Sequence, residues 1–474
     1  MVSYRINHPE LVSAATYAAI SPTLNTEAKN KLTMVDANLT GSLMQLPGGK
    51  LGVNVGVEWR KEQTDSPPTP FTDTGRIIGL GYSKFSSDRN ISAVHAEIDA
   101  PIVKMLEVNA AYRYDKYSDY GSSSTPKVGI KFTPIRQLAL RGTYSEGFRA
   151  PGPAEAGDSA SFGFTSIGIL SIGNPSLKPE TSKSYTVGFV VEPFENTNAS
   201  IDYYNIERKN EINQADPAVI VGNLPTTGGP PSGQAPGAVP GSVLYYDADG
   251  NLATVAAPYT NANKTTTNGL DFDLRQKFHA GSIGNFEAIL SWTNVSKFEK
   301  VLDDGSKFDY VGTSGPYVLS SATGTPRNHG SFTLDWTRND MTVSARVNYV
   351  SSMKLIDHAG VTLVDNGDGS FSTSGGEGTA WFVKGGVDGA PACGVYTPAG
   401  LPFHGCESGS FTTIDVFAKW TLNSHAQITG SILNLAGTVA PLNPYTYGGL
   451  NYNPAWTQSG AIGRYFTIGG RYNF

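Results

Sequence analysis

The sequence predicts an all-β chain, the wall of a transmembrane antiparallel β-barrel with about fifteen strands, and three observations carry that expectation. Apolar and polar residues alternate along stretches of nine or more positions, short turns alternate with long connections, and the chain closes on a strand ending in the aromatic Phe474. In that closing stretch Phe466, Ile468, Tyr472 and Phe474 share one face, while Tyr465, Thr467, Arg471 and Asn473 share the other. One face suits lipid and the other a watery lumen.

The elements follow in order. The first clear strand is Lys31 to Leu46. In Leu51 to Arg60, Leu51, Val53, Val55, Val57 and Trp59 oppose Asn54, Glu58 and Arg60. In Leu106 to Asp115, Leu106, Val108, Ala110, Tyr112 and Tyr114 oppose Glu107, Asn109, Arg113 and Asp115. Val343, Ala345, Val347 and Tyr349 oppose Ser344, Arg346 and Asn348, and Ile414, Val416, Ala418, Trp420 and Leu422 oppose Asp415 and Lys419. The candidates run to roughly 12 to 16 residues, whereas soluble strands average five or six; crossing a bilayer at about 45° takes nine to eleven. Aromatics gather near stripe ends at Trp59, Tyr112, Tyr114, Tyr144, Trp292, Tyr349 and Trp420, where an interfacial girdle belongs.

Connections alternate as a barrel demands. Short turns fall near Pro47 to Lys50, Pro101 to Lys104, Thr133 to Arg136, Pro193 to Asn196, His279 to Ile283, Arg338 to Asp340 and Asn423 to His425. Long ones fall near 65–88, 116–124, 148–180, 213–263, 298–326, 353–408 and 437–459. A compact soluble domain has no use for such loops on one side only.

Composition agrees. Among 474 residues there are 54 Gly and 23 Tyr, and only 16% are charged. Turns and strands absorb such residues better than helices do. No apolar run reaches the roughly eighteen residues of a helical span. A net charge of −6 supplies no basic face for nucleic acid. Cys393 and Cys406 stand in a Gly/Pro-rich stretch with His404, and a disulfide closing a surface loop is expected there; a Cys/His metal site would need further ligands. Met1 to Asn30 show no basic start followed by an apolar run. They are expected to be an outer loop or a truncated upstream strand, with 31–474 as the barrel portion of a longer chain.

One pair of segments resembles a family. Tyr144-Ser145-Glu146-Gly147-Phe148-Arg149-Ala150-Pro151 is followed by Asn174-Pro175-Ser176-Leu177-Lys178-Pro179-Glu180-Thr181-Ser182. The pair is similar to the mid-barrel signature of TonB-dependent outer-membrane receptors, S-x-G-F-R-A-P and then N-P-x-L-K-P-E-x-S. The matching positions are Ser145, Gly147, Phe148, Arg149, Pro151, Asn174, Pro175, Leu177, Lys178, Pro179 and Glu180. Ile432 to Gly437 is a weaker echo of the N-L-F/A-G element before the last loop. The resemblance implies a bacterial outer-membrane barrel of 22 strands around a plug, an extracellular ligand, lipid around the wall and force delivered by TonB. The plug and TonB-contacting box are not recognisable here, so the TonB complex would be met through a missing upstream plug, and the chain alone is not expected to transport. Physically, Pro151, Pro153, Pro175 and Pro179 cannot donate to a ladder, so the chain between the motifs is loop. Arg149 and Glu180 either pair across the mouth or stand as solvated charges.

Catalytic chemistry is not written in the residues. The seven His lack metal spacing, and Thr143 stands where a nucleophile elbow needs Gly. Tyr246-Asp247-Ala248-Asp249-Gly250-Asn251 begins like a calcium loop, but Pro258 replaces the closing Glu, leaving a looser surface site or a plain turn. No cofactor is expected. Ligand contacts are expected from Arg149, Tyr245, Tyr246, Asp247, Trp381 and Phe382, for a ferric chelate, a glycan or a peptide. The rival readings are a porin- or adhesin-type barrel and a secreted all-β carbohydrate-active enzyme with paired carboxylates.

Overall fold

The computed structural model describes residues 12–21, 23–74, 81–164, 167–222, 224–301, 307–313, 324–354, 407–441 and 452–473, with 8, 10, 77, 362–365 and 371–374. Fifteen of its strands follow one another as antiparallel neighbours. They are β1 (Lys29–Leu46), β2 (Gly49–Ser66), β3 (Ser83–Val103), β4 (Leu106–Tyr117), β5 (Gly121–Ile135), β6 (Leu138–Arg149), β7 (Glu180–Val191) and β8 (Thr197–Gln214). They continue with β9 (Leu252–His279), β10 (Asn285–Val301), β11 (Asn328–Arg338), β12 (Met341–Val350), β13 (Phe411–Thr421), β14 (Ala426–Leu433) and β15 (Tyr465–Tyr472). Each predicted short turn closes a hairpin at one end, and the long connections leave from the other; the expected long connection 116–124 is the exception, because β4 runs on to Tyr117 and β5 starts at Gly121, with Tyr117 opposite Gly121 across a tight turn.

Register puts like with like. Val35, Trp59 and Ser92 stand side by side, as do Tyr144 and Tyr185, so a row of outward residues crosses the wall. Below those rings the outward face is apolar: Leu39, Val55, Val94, Ile98, Ile130, Leu140, Val187 and Ile468 are all exposed. Lipid is the solvent that face is built for. Inward positions carry Asn54, Glu58, Arg60, Arg113 and Asp115, half-buried or buried. On the short-turn side, Asn196 and Asn339 adopt left-handed φ values of 62° and 50°, which asparagine tolerates.

Strand lengths depart from expectation. β9 has 28 residues and β3 has 21, because both rise past the girdle and pair there with loop segments. At the other extreme, β14 and β15 have eight residues each. Within 1–30, Ala14–Ile20 is a short helix capped by Ser13 Oγ. Among the described residues β1 pairs with β2 alone and β15 with β14 alone, so both carry a free edge.

Candidate functional site

The two family-like segments meet at the outer rim. β6 and β7 are neighbours with Arg149 opposite Glu180, and the guanidinium donates to the carboxylate at 2.7 Å. Arg149 also grips Glu155 at 2.9 and 3.0 Å, and Glu155 accepts from Gly152 N–H. On the other side Glu180 accepts from Arg208 and from the buried Ile212 amide, at 3.3 and 2.8 Å. Arg208 continues to Glu211, and Glu211 to Lys300; the last two side chains are each 6% exposed. Three cations and three carboxylates thus alternate from the β6–β7 connection across to β10. Burial pushes the Glu180 carboxyl up, but the Arg149 hydrogen bond, the Ile212 amide and the two guanidinium charges together hold it below its ordinary range.

The other motif residues close the same joint. Ser145 Oγ meets Ser184 Oγ at 2.7 Å, and a Cβ on Gly147 would sit 2.8 Å from Ser182 Oγ. Phe148 packs edge-on against Tyr117, and the buried Pro151 gives its carbonyl to Arg89 at 2.9 Å. Asn174 donates to the Tyr259 carbonyl, Lys178 exchanges two bonds with Asn261, and Leu177 is buried. Pro175 and Pro179 end the ladder on either side of this contact. The expected alternatives for Arg149 and Glu180 therefore resolve: they pair, and Glu155, Arg208 and the Ile212 amide pair with them.

Beneath the rim an ion ladder lines the lumen. Arg60 bridges Glu58 and Glu62 at 2.6 and 2.9 Å, Arg113 bridges Glu58 and Asp115 at 3.2 and 2.8 Å, and Arg89 reaches Glu62 at 2.7 Å. Except for Arg89, which comes from β3, these residues alternate on β2 and β4, a pattern visible in the sequence as charges two apart but not singled out there as an ion ladder. Lys300 and Glu211 carried no such signal, since each stands beside residues of mixed polarity.

Above the rim, the connections from β6 to β7 and from β8 to β9 are built. Asp158–Phe164 pairs with the start of β3 and with Gly168–Ile172, and the latter runs parallel to Thr254–Pro258 of β9. Two loop strands therefore join β3 directly to β9, although five wall strands separate them lower down. The ladder returns on itself at the outer end. Next to it, residues 215–257 hold a small core of Ala215, Ile220, Leu244, Tyr246, Val255 and Ala257.

The loop candidates lie in and beside that core. Tyr246 is buried and its hydroxyl donates to Pro225 O at 3.0 Å. Asp247 accepts from the amides of Asp249 and Asn251, which shapes the turn into β9 and holds its carboxyl below the usual range. Tyr245, between core and turn, points to solvent. Trp381, Phe382, Cys393 and Cys406 lie outside the described residues. In the last connection, buried Asn434 donates to Thr438 O and Ser459 O while its amide donates to Asp415, fixing the loop that follows β14.

Comparison with known proteins agrees with this architecture. The siderophore receptor PirA from Acinetobacter baumannii superimposes with a TM-score of 0.61 at 14% identity, over 95% of this chain and 55% of its own. The ferric enterobactin receptor PfeA from Pseudomonas aeruginosa gives 0.61 at 15%, over 94% and 54%. At such identities the likeness is one of fold. In sequence, the vitamin B12 transporter BtuB of Vibrio vulnificus is 33% identical over 24% of this chain and 16% of its own length. The iron-regulated outer membrane virulence protein of Vibrio cholerae is 25% identical over 50% of this chain and 33% of its own length. The chain thus spans a third or less of these sequence relatives and about half of the solved receptors. The family model described as TonB dependent receptor-like, beta-barrel matches residues 2–435, so the chain belongs to that family of bacterial outer-membrane receptors.

Proposed function

We propose that this chain forms the wall and outer vestibule of a receptor that takes up a scarce nutrient, a ferric chelate, a glycan or a peptide, with energy from the TonB complex. The observation that supports this most is the built outer end. A wall whose loops fold into a cored assembly joined back onto β3 and β9 offers a shaped, water-facing mouth over a polar lumen. A general porin has no need of such a mouth. The family's proteins are receptors and transporters, and catalysis is no part of this reading.

The wall also favours further strands. The free edges of β1 and β15 present amides and carbonyls at membrane depth, where each unpaired group costs several kcal/mol. Additional strands of the same receptor, and a plug inside them, are proposed as the natural partners.

Deletion of the segment encoding 29–474 in its native host tests this. Uptake of ferric chelates, oligosaccharides and peptides is followed with and without a protonophore. Loss of one energy-dependent uptake is expected, and expression of this chain alone is expected not to restore it. Unchanged uptake across the panel contradicts the receptor reading; energy-dependent import by the chain alone contradicts the need for further parts.

A further inference from the structure

The last connection reaches back over the wall before it enters β15. In residues 452–463, Gly460 sits against the buried Phe411 of β13, where a Cβ would come 2.7 Å from the ring. Further over, the Trp456 ring lies on His329 of β11, with 5.2 Å between centroids. His329 faces the lumen, because Gly330 next to it stands in the outward row with Trp292 and Tyr349. Residues 452–463 thus lie as a strap across the inner face of the mouth. Asn453, 1% exposed, shapes that strap: its side-chain oxygen accepts from the Ala455 and Trp456 amides at 3.0 and 3.3 Å. Asn434 holds the Ser459 carbonyl at 3.2 Å.

Two properties set the Trp456 end apart. Residues 434–463 contain no Asp, Glu, His, Lys or Arg, so packing and amides alone hold the strap. At its far end, His329 Nδ1 and Trp456 Nε1 are buried and neither has a hydrogen-bond partner, a bond that water supplies on release. Among the described residues His329 is the group beneath the strap that titrates near neutral pH. Few charges face it. In the inward row, Thr293 stands beside His329 and Asp271 beside Thr293, whose hydroxyl donates to Asp271 at 2.7 Å. Asp202 follows and is paired with Arg141. On the other side Val350 is opposite, and Asp415 of β13 is engaged by Asn348 and the Asn434 amide. Arg327, two residues along the same chain, is exposed. A proton on His329 therefore meets one carboxylate two strands away and, on the strap side, only indole and amides. Such a charge costs less in an open, watery mouth than under an uncharged cover.

We propose that His329 and Trp456 form an acid-released latch, which holds the strap 452–463 across the mouth at neutral pH and frees it when His329 takes up a proton. As regulation of nutrient entry this rests on the receptor reading; the latch itself does not.

The test uses this chain refolded in detergent with 5-fluorotryptophan at its six tryptophans, the Trp456 fluorine resonance being assigned with Trp456→Phe. No ligand is involved, so a negative result leaves the receptor reading to the uptake panel. Between pH 7.5 and 4.5 the Trp456 resonance is expected to pass from a solvent-shielded to a solvent-exposed position, read by its shift between H2O and D2O. The ratio of released to seated strap should grow below the ordinary histidine value of 6.5, by up to about tenfold per pH unit. His329→Gln takes up no proton and should keep Trp456 shielded throughout. Asp271→Asn removes the carboxylate that eases the charge and should raise the released fraction at each acid pH. Heat-modifiable gel migration checks folding. A resonance unchanged down to pH 4.5, a release that survives in His329→Gln, or a smaller released fraction in Asp271→Asn would overturn the proposal. So would tighter shielding in acid, the result of a cation–π contact between His329 and Trp456. Should the variants not fold, the direction of the acid response in the unmodified chain decides alone.

Discussion

The wall and the outer assembly are both β-structure, yet different forces hold them. Wall strands gain little from core packing, since one face meets lipid and the other the lumen; what fixes them is an unbroken ladder in a medium that supplies no competing hydrogen bonds. The outer assembly sits in water, where a ladder alone is marginal. It therefore has what a soluble domain has, a core around Ile220, Leu244 and Val255, each fully buried, and at its base an ion network in which Glu180, Glu211 and Lys300 are buried. Solvent, rather than secondary structure, dictates which device each region needs.

Substitutions can break this contrast, the largest effect first. Leu244→Ala opens a cavity in the small core and should cost about 3 kcal/mol locally. Chymotrypsin should then cut within 215–251 while the wall keeps its heat-modifiable migration; simultaneous loss of both would erase the distinction. Glu180→Ala leaves the buried Ile212 amide unpaired and two guanidiniums short of a partner, costing roughly 2 kcal/mol, read by the same cleavage assay. Arg141→Ala removes an exposed lumen pair with Asp202 and should change stability by less than about 1 kcal/mol.

The acid response sharpens the comparison further. Glu180 is held below its ordinary value of 4.5 in the folded chain, so its contribution is present above that value and is lost as pH falls through the lower folded one. Pepsin cleavage of the outer assembly should therefore rise steeply below about pH 4, and Glu180→Gln should lack that step. A wall that loosens over the same range, with the assembly unaffected, would reverse the assignment.

How much was legible follows the same division. The wall shows in the sequence because lipid on one side and water on the other impose a strict period of two, as in Leu51 to Trp59 and Leu106 to Tyr114. The turns show because the chain must reverse there. The joint of Arg149 and Glu180 was within reach, since the motif named both residues, although Glu211 and Lys300, far along the chain, were not. The outer assembly was opaque. Its strands are three to seven residues long, Gly168–Ile172 pairs in parallel with a segment more than eighty residues away, and no periodicity announces a partner at that distance. From the sequence Tyr246 and Asp247 read as residues of a plain loop, whereas in the folded loop Tyr246 lies in a core and Asp247 shapes a turn.

Hydrogen exchange of the refolded chain in detergent micelles tests the two-solvent account most directly. Amides of β2 to β14 should exchange slowly, those on the free edges of β1 and β15 faster, and those of Leu244, Tyr246 and Val255 should stay protected until the assembly opens as one unit. Glu180→Ala should release that unit and leave the wall unchanged. Exchange of Leu244, Tyr246 and Val255 at the rate of an unstructured loop, with the wall protected, would contradict the claim that the outer end is a folded domain.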